Sequence, residues 1–217
     1  WRMIKNNICI LSFECLPGNF SETSNPNKKK YCDFHGYDFL SYSSKISKRP
    51  PSWDKILYIK KVFDEFDYDW IFWQDSDSYV INHKRKIEEF IDLDKDLICC
   101  EDDVGINFGL FIIKRSDFSF WLLDEIWDFK KYGNNAAGSV SNFIPRFNKI
   151  CTYDAWEQTN LHSIVGTHGE KFPDKIKVYN VNDDHFNVIP SRSNKNTFIV
   201  HQRSGHRDNN DFKKFIY

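Results

Sequence analysis

Asp69–Asn82, DWIFWQDSDSYVIN, is the stretch whose reading decides the rest of this chain. Trp70 to Trp73 is an apolar, aromatic run of strand length, and it stops at two carboxylates separated by one serine. An unpaired ion at the end of a core strand costs on the order of several kcal/mol, and a divalent cation would offset that cost. Side chains at i and i+2 of an extended or turning segment share one side, so Asp75 and Asp77 can face one ion while Ser76 turns away. A bare D-x-D is common in loops and helix caps. Its position directly after a core strand is what points to a ligand, because open α/β sheets gather ligands at strand carboxyl ends.

The 217 residues, taken as one domain over 1–217, suffice for a sizeable core. Lys and Arg number 30 against 31 Asp and Glu, so no global field draws nucleic acid or an anionic membrane. The clusters Lys28-Lys29-Lys30 and Lys84-Arg85-Lys86 read as solvated faces. Aromatic residues reach 17%, which implies a core filled by large rings and also suits sugar or base stacking. Cys9, Cys15, Cys32, Cys99, Cys100 and Cys151 show no C-x-x-C spacing, so reduced, zinc-free thiols are expected. No run of eighteen apolar residues and no signal pattern is visible, which gives a soluble, cytoplasmic expectation. A Golgi-lumenal location is the alternative if an anchor preceded Trp1.

Outward from the acid pair, Ile8–Phe13 reads as the first strand of an α/β domain, with room for a nucleotide at its end. Pro17–Lys30 reads as a mobile surface loop, Tyr31–Phe34 as a short helical piece and Tyr37–Tyr42 as a second strand. Arg49-Pro50-Pro51-Ser52 predicts a helix start with Ser52 as N-cap and Asp54 in the first turn, followed by Ile56, Ile59, Phe63 and Phe66 at helical spacing. Ile87, Phe90 and Ile91 mark a shorter helix. Leu97–Cys100 and Asn107–Ile113 read as strands, the second with Gly109 allowing close backbone approach. Ser116 caps a helix reaching Lys131, which Gly133–Gly138 breaks. Asp154 and Glu157 have capping-box spacing before another helix, Ile176–Val181 is a strand, and Thr197–Val200 is a β-branched run ending at His201. No internal repeat is visible.

The succession RPPSWDKI, DWIFWQDSDSYVIN, NFGLFIIKRS, WEQTN and FIVHQRSGH resembles the retaining glycosyltransferases of the yeast α-galactosyl/mannosyltransferase and plant xyloglucan xylosyltransferase family, over roughly residues 31–206. The resemblance implies a GT-A fold, a mixed central sheet flanked by helices, with a nucleotide-sugar donor, usually a UDP-sugar, and Mn2+ or Mg2+. It makes Asp75 and Asp77 metal ligands with His201 as the third. Asn107 lies by the donor sugar, Gln158 faces the reacting sugar, and Lys55 approaches the diphosphate. Ser12 and Phe13 at the end of the first strand, Tyr37 at the start of the second, and Ser76, Gly205 and His206 complete the expected donor contacts. Two departures stand out. The family carries paired aspartates before that glutamine, where this chain has Trp156 and Glu157, so acid chemistry there rests on Glu157. It also carries a glycine three residues after the histidine and a lysine two further, where this chain has Gly205 four on and His206 in the lysine's place, with Arg203 and Arg207 as substitutes.

The residue chemistry independently suits that role. Two carboxylates and a neutral imidazole leave a divalent ion able to hold a diphosphate, which an all-carboxylate cage would repel. Each role has a plainer rival: Glu157 as a capping residue, Gln158 as exposed, Asn107 as satisfying a turn, Lys55 as solvated. With no carboxylate surely placed as nucleophile, retention by same-face attack is expected, the leaving phosphate helping to deprotonate a glycan or other hydroxyl acceptor. Two other functions compete. A haloacid-dehalogenase-type phosphatase would use Asp75 and Asp77 with Asp183-Asp184 holding magnesium, and an inactive sugar-nucleotide-binding module would keep the fold without turnover.

Overall fold

A computed structural model describes residues 7–15, 20–102, 105–128, 156–168, 172 and 174–202. Its main sheet has six strands in the order β2-β1-β3-β6-β5-β7: β1 (Ile8–Phe13), β2 (Asp38–Tyr42), β3 (Trp70–Gln74), β5 (Leu97–Asp102), β6 (Gly105–Lys114) and β7 (Ile176–Tyr179). β1 runs parallel to β2 and β3, β6 runs antiparallel to β3 and β5, and β7 is parallel to β5, so the sheet is mixed. A separate antiparallel ribbon pairs β4 (Ser78–Val80) with β8 (Ile199–His201), setting Ser78 opposite His201. Among the described residues the helices are α1 (Phe20–His35), α2 (Pro51–Glu65), α3 (Asp117–Trp127) and α4 (Glu157–His168).

Both faces of the sheet are covered, and the period-2 alternation of its strands divides the core in two. Cys9, Leu11, Phe13, Ile71 and Trp73 point to one side, where α2, α3 and α4 bring Ile56, Ile59, Phe63, Leu122, Ile126 and Leu161. Ile8, Ile10, Trp70 and Phe72 point to the other, against Tyr31 of α1 and Phe90, Phe186 and Phe198. Two-sided burial is why β1 and β3 read in sequence as unbroken apolar runs.

Several local expectations are corrected. Much of the stretch read as a surface loop, and the helical piece after it, is one helix, α1, which even accommodates Pro26. Its buried stripe is Ser24, Lys28, Tyr31 and Cys32, a helical spacing hidden because half its members are polar. The N-cap of α2 is Pro50, with Pro51 opening the helix, where its missing N–H costs nothing. Asp54 instead accepts from the Ile46 N–H at 3.0 Å and from the Ser47 hydroxyl, fastening the preceding loop. Ile87–Glu89 forms only a single 3-10 turn rather than a short helix. Ser116 does cap α3, accepting from the Ser119 N–H at 3.2 Å. Cys9, Cys15, Cys32, Cys99 and Cys100 are free thiols. Helix α3 ends at Trp127 with Asp128 as its C-cap, short of Lys131; the Gly133–Gly138 break, Asp154 and Cys151 lie outside the described residues. Among the described residues no helix is long and apolar enough to cross a membrane.

One irregularity matters for the site. Cys99 pairs with Phe111 but Cys100 pairs with Asn107, so Phe108, Gly109 and Leu110 bulge out of the β5–β6 ladder. Bulges re-aim backbone groups at sheet ends. This one delivers the Gly109 carbonyl to the Asp75 N–H at 2.9 Å, beside the acid pair.

Candidate active site

Asp75 and Asp77 flank the turn between β3 and β4, and β8 carries His201 to them through its pairing with β4. One ligand atom from each of the three residues lies within 4.8 Å of the others. His201 Nε2 stands 3.2 Å from Asp77 Oδ1, and His201 Nδ1 stands 2.9 Å from Asn187 Oδ1. An amide oxygen only accepts, so Nδ1 donates to Asn187 and Nε2 is the ring nitrogen turned toward the Asp77 carboxylate. A cation placed there could take both Nε2 and Oδ1 as ligands. Burial alone would raise the pKa of Asp77, but the His201 imidazole and Lys28 outweigh it and hold the carboxyl below its usual range.

Space at this point exists because residue 109 is glycine. A Cβ there would lie 2.4 Å from His201 Cε1, 2.9 Å from Asp75 Oδ2 and 3.1 Å from Asn107 Oδ1. The sequence expectation of close approach at Gly109 thus has a concrete object, the imidazole and carboxylate of the site. Asn107 Oδ1 accepts from the Gly109 N–H at 2.9 Å while its amide donates to Asp102 at 2.8 Å, which holds the bulge in shape.

Two buried lysines flank the acids. Lys55 Nζ lies 3.3 Å from Asp75 Oδ1 and 2.8 Å from Glu157 Oε1, and donates to the Phe108 carbonyl at 2.7 Å. Burial would lower its pKa, yet the two carboxylates raise it above the ordinary lysine value. Three acceptors match the three ammonium donors, so Lys55 here serves the protein and has no free N–H for a diphosphate. The Trp73 indole donates to the same Asp75 Oδ1 at 2.7 Å, leaving Oδ2 facing Gly109. Lys28 Nζ donates to the Asp75 carbonyl at 2.8 Å and to Ser12 Oγ at 3.2 Å, and Ser12 in turn donates to the Gln74 carbonyl at 2.7 Å. Burial lowers the Lys28 pKa to about 8 against the pull of Asp77, Asp75 and Glu14. The residues fit a metal in number, donor type and space.

Of the residues expected from sequence, Asp75, Asp77, His201, Asn107, Lys55, Glu157 and Gln158 come together here. Gln158 Oε1 accepts from the Phe108 N–H at 2.8 Å. Glu157 is 2% exposed and spends one oxygen on Lys55; the other is buried with no partner among the described residues. Ser12 supports the turn through Lys28, and Ser76 Oγ donates to Glu14 Oε1 at 3.2 Å. Phe13 packs on Tyr58 at the sheet's end. Tyr37 is not at this end. β2 sets Asp38 level with Cys9 and Tyr42 level with Phe13, so Tyr37 sits about 17 Å down the strand, where its hydroxyl donates to Glu88. Gly205 and His206 lie outside the described residues. Lys28, Asn187 and Glu14 escaped the sequence analysis. Only the helical spacing of Lys28 with Ser24 and Tyr31 could have flagged it, and nothing local marks Asn187. The magnesium pair required by the phosphatase alternative is engaged elsewhere: Asp184 with Arg85 at 2.6 Å and Asp183 with the Asn180 N–H at 2.7 Å.

The galactosyl transferase GMA12/MNN10 family model matches residues 15–96. An uncharacterized alpha-1,2-galactosyltransferase of Schizosaccharomyces pombe is 26% identical over 147 residues, covering 51% of this chain and 42% of that protein. A probable alpha-1,6-mannosyltransferase, MNN10 of Saccharomyces cerevisiae, is 26% identical over 137 residues, covering 47% of this chain and 35% of that protein. The matched part thus spans less than half the length of either relative. Among solved structures, a glycosyltransferase involved in glycosylation of the major capsid of PBCV-1 superposes with a TM-score of 0.69 at 20% identity, covering 95% of this chain and 97% of that one. The apo form of GlyE from Streptococcus pneumoniae TIGR4 gives 0.60 at 12% identity, covering 97% and 60%. Residues 15–96 are thus similar to the galactosyl transferase GMA12/MNN10 family, and the chain's architecture is the GT-A-type fold.

Proposed function

We propose that residues 1–217 act as one catalytic unit, a metal-dependent retaining glycosyltransferase that moves a hexosyl or pentosyl group from a nucleoside-diphosphate sugar, a UDP-sugar first, to a hydroxyl of a glycan. The observation that carries this reading is the convergence of Asp75, Asp77 and His201 at the carboxyl end of β3. Asp75, Asp77 and His201 would hold Mn2+ or Mg2+, and the bound ion supplies Lewis-acid stabilisation of the departing diphosphate. Asp75 is oriented for that task by Trp73 and Lys55, and His201 by Asn187. Gln158, anchored on the bulge by the Phe108 N–H, would orient the reacting sugar. The burial of Glu157 on Lys55 supports a structural role for it, which favours same-face attack over a covalent intermediate on Glu157.

Release of UDP from UDP-sugars with Mn2+, compared with EDTA, tests the reading, and a parallel set of GDP-sugars tests the base. Metal-independent release, or none with any donor, would overturn it; the second result would leave a binding module. Mass spectrometry that traps a glycosylated Glu157 would replace same-face attack by a covalent route.

A further inference from the structure

Helix α1 grips both ends of the acid turn with adjacent side chains. Asn27 Nδ2 donates to the Val80 carbonyl at 3.0 Å while the Val80 N–H donates to Asn27 Oδ1 at 2.8 Å, a two-point hold on β4. One residue on, Lys28 places its ammonium on the Asp75 carbonyl at 2.8 Å. That carbonyl also receives the Ser78 hydroxyl at 2.7 Å and the Ser78 N–H at 3.2 Å. The turn from Asp75 to Val80 is thus fixed at both ends by one helical step, and the Lys28 side chain is wholly buried.

Two roles for Lys28 predict opposite results. As a simple countercharge it would compete with a cation for Asp75 and Asp77, so its removal would tighten metal binding. As a fastener of the backbone it would hold the two carboxylates where one ion can reach both, so its removal would weaken binding. The ammonium is aimed at a main-chain carbonyl and a hydroxyl, with no carboxylate oxygen of the described residues among its hydrogen-bond acceptors, and Asn27 secures the other end of the same turn without any charge. We infer that Asn27 and Lys28 form a clamp that shapes the acid turn for its cation, Lys28 being a positioning residue for the metal site; the inference rests on the metal reading of Asp75, Asp77 and His201.

The test is Mn2+ binding by the metal-free chain without nucleotide, followed by the paramagnetic resonance signal of free Mn2+, with circular dichroism as the check on folding. Lys28→Met should weaken Mn2+ on the order of tenfold or more, the size of loss seen when a support behind a ligand is removed. Lys28→Arg, which keeps the charge and a donor, should recover part of it. Unchanged or tighter binding by a folded Lys28→Met overturns the clamp while leaving the metal site intact. Absence of Mn2+ binding by the parent chain overturns both. Should Lys28→Met fail to fold, Asn27→Ser carries the test, since it alters no charge: weaker binding supports the clamp and unchanged binding overturns it.

Discussion

Lys55 Nζ sits 2.8 Å from Glu157 Oε1, and both side chains are almost wholly withdrawn from solvent. Removing the cation alone leaves Asp75 and Glu157 as neighbouring carboxylates, whereas removing the Glu157 charge leaves Lys55 still paired with Asp75. Lys55→Met should therefore cost about 3 kcal/mol of stability or more, and Glu157→Gln distinctly less. The double variant should recover part of the Lys55→Met loss. Urea denaturation midpoints of the four chains check this; additive losses would mean the pair is not coupled.

Gly109→Ala introduces a Cβ only 2.4 Å from His201 Cε1, and Asn187 keeps the imidazole from swinging away. Mn2+ binding should be lost or cut at least tenfold, with a stability cost of about 1–3 kcal/mol from overpacking. Calorimetric titration with Mn2+, beside a thermal melt, separates the two effects. Full Mn2+ affinity in a well-folded Gly109→Ala would place the imidazole away from the metal.

Asp77→Ala should abolish Mn2+-dependent UDP binding and leave the sheet intact, because Asp77 lies outside the ladder of β3. UDP titration with and without EDTA reads this directly. Tight metal-free binding of UDP by either chain would contradict the arrangement.

Tyr37→Phe should leave donor affinity unchanged and cost about 1 kcal/mol of stability through the lost hydrogen bond to Glu88. A shift in the UDP-sugar KM would show that this end of the sheet reaches the donor after all.

In metal-free protein Lys28 titrates near 8, below its unfolded value of about 10.4. Between those pH values the unfolded chain binds the extra proton, so this group's contribution to stability rises with pH across the window. The stability difference between the parent and Lys28→Met should thus move in the parent's favour from pH 8 to pH 10. Denaturation at both pH values in EDTA measures it, and a flat or falling difference would contradict the desolvation of Lys28 by burial.

The acid pair and the strand before it were legible because burial on both faces forces an unbroken run such as WIFW, and a strand-end D-x-D has few other physical explanations. His201 was legible for a related reason: it ends the β-branched run TFIV. Lys28 was not, since a lysine run carries the same composition whether it is solvated or, as here, drawn inward at one position by a carbonyl. Helix α1 was missed with it, because Lys28 is buried for what it hydrogen-bonds and not for what it excludes from water, and Ser24 is buried without an apolar side chain to mark it. Tyr37 was misassigned to the donor because its place in sequence, just before a strand, does not say which end of the sheet that strand enters. Asn187 could not be found at all: its work depends on a ring fourteen positions away that meets it only through tertiary folding.

The ribbon of β4 and β8 gives the site a history as well as a shape. During synthesis the two acids leave the ribosome long before the imidazole exists, so the young chain has carboxylates but no complete grip. Completion waits until Ile199–His201 pairs with Ser78–Val80. A chain cut between Tyr179 and Ile199 would keep every strand of the main sheet and both aspartates yet lack the imidazole.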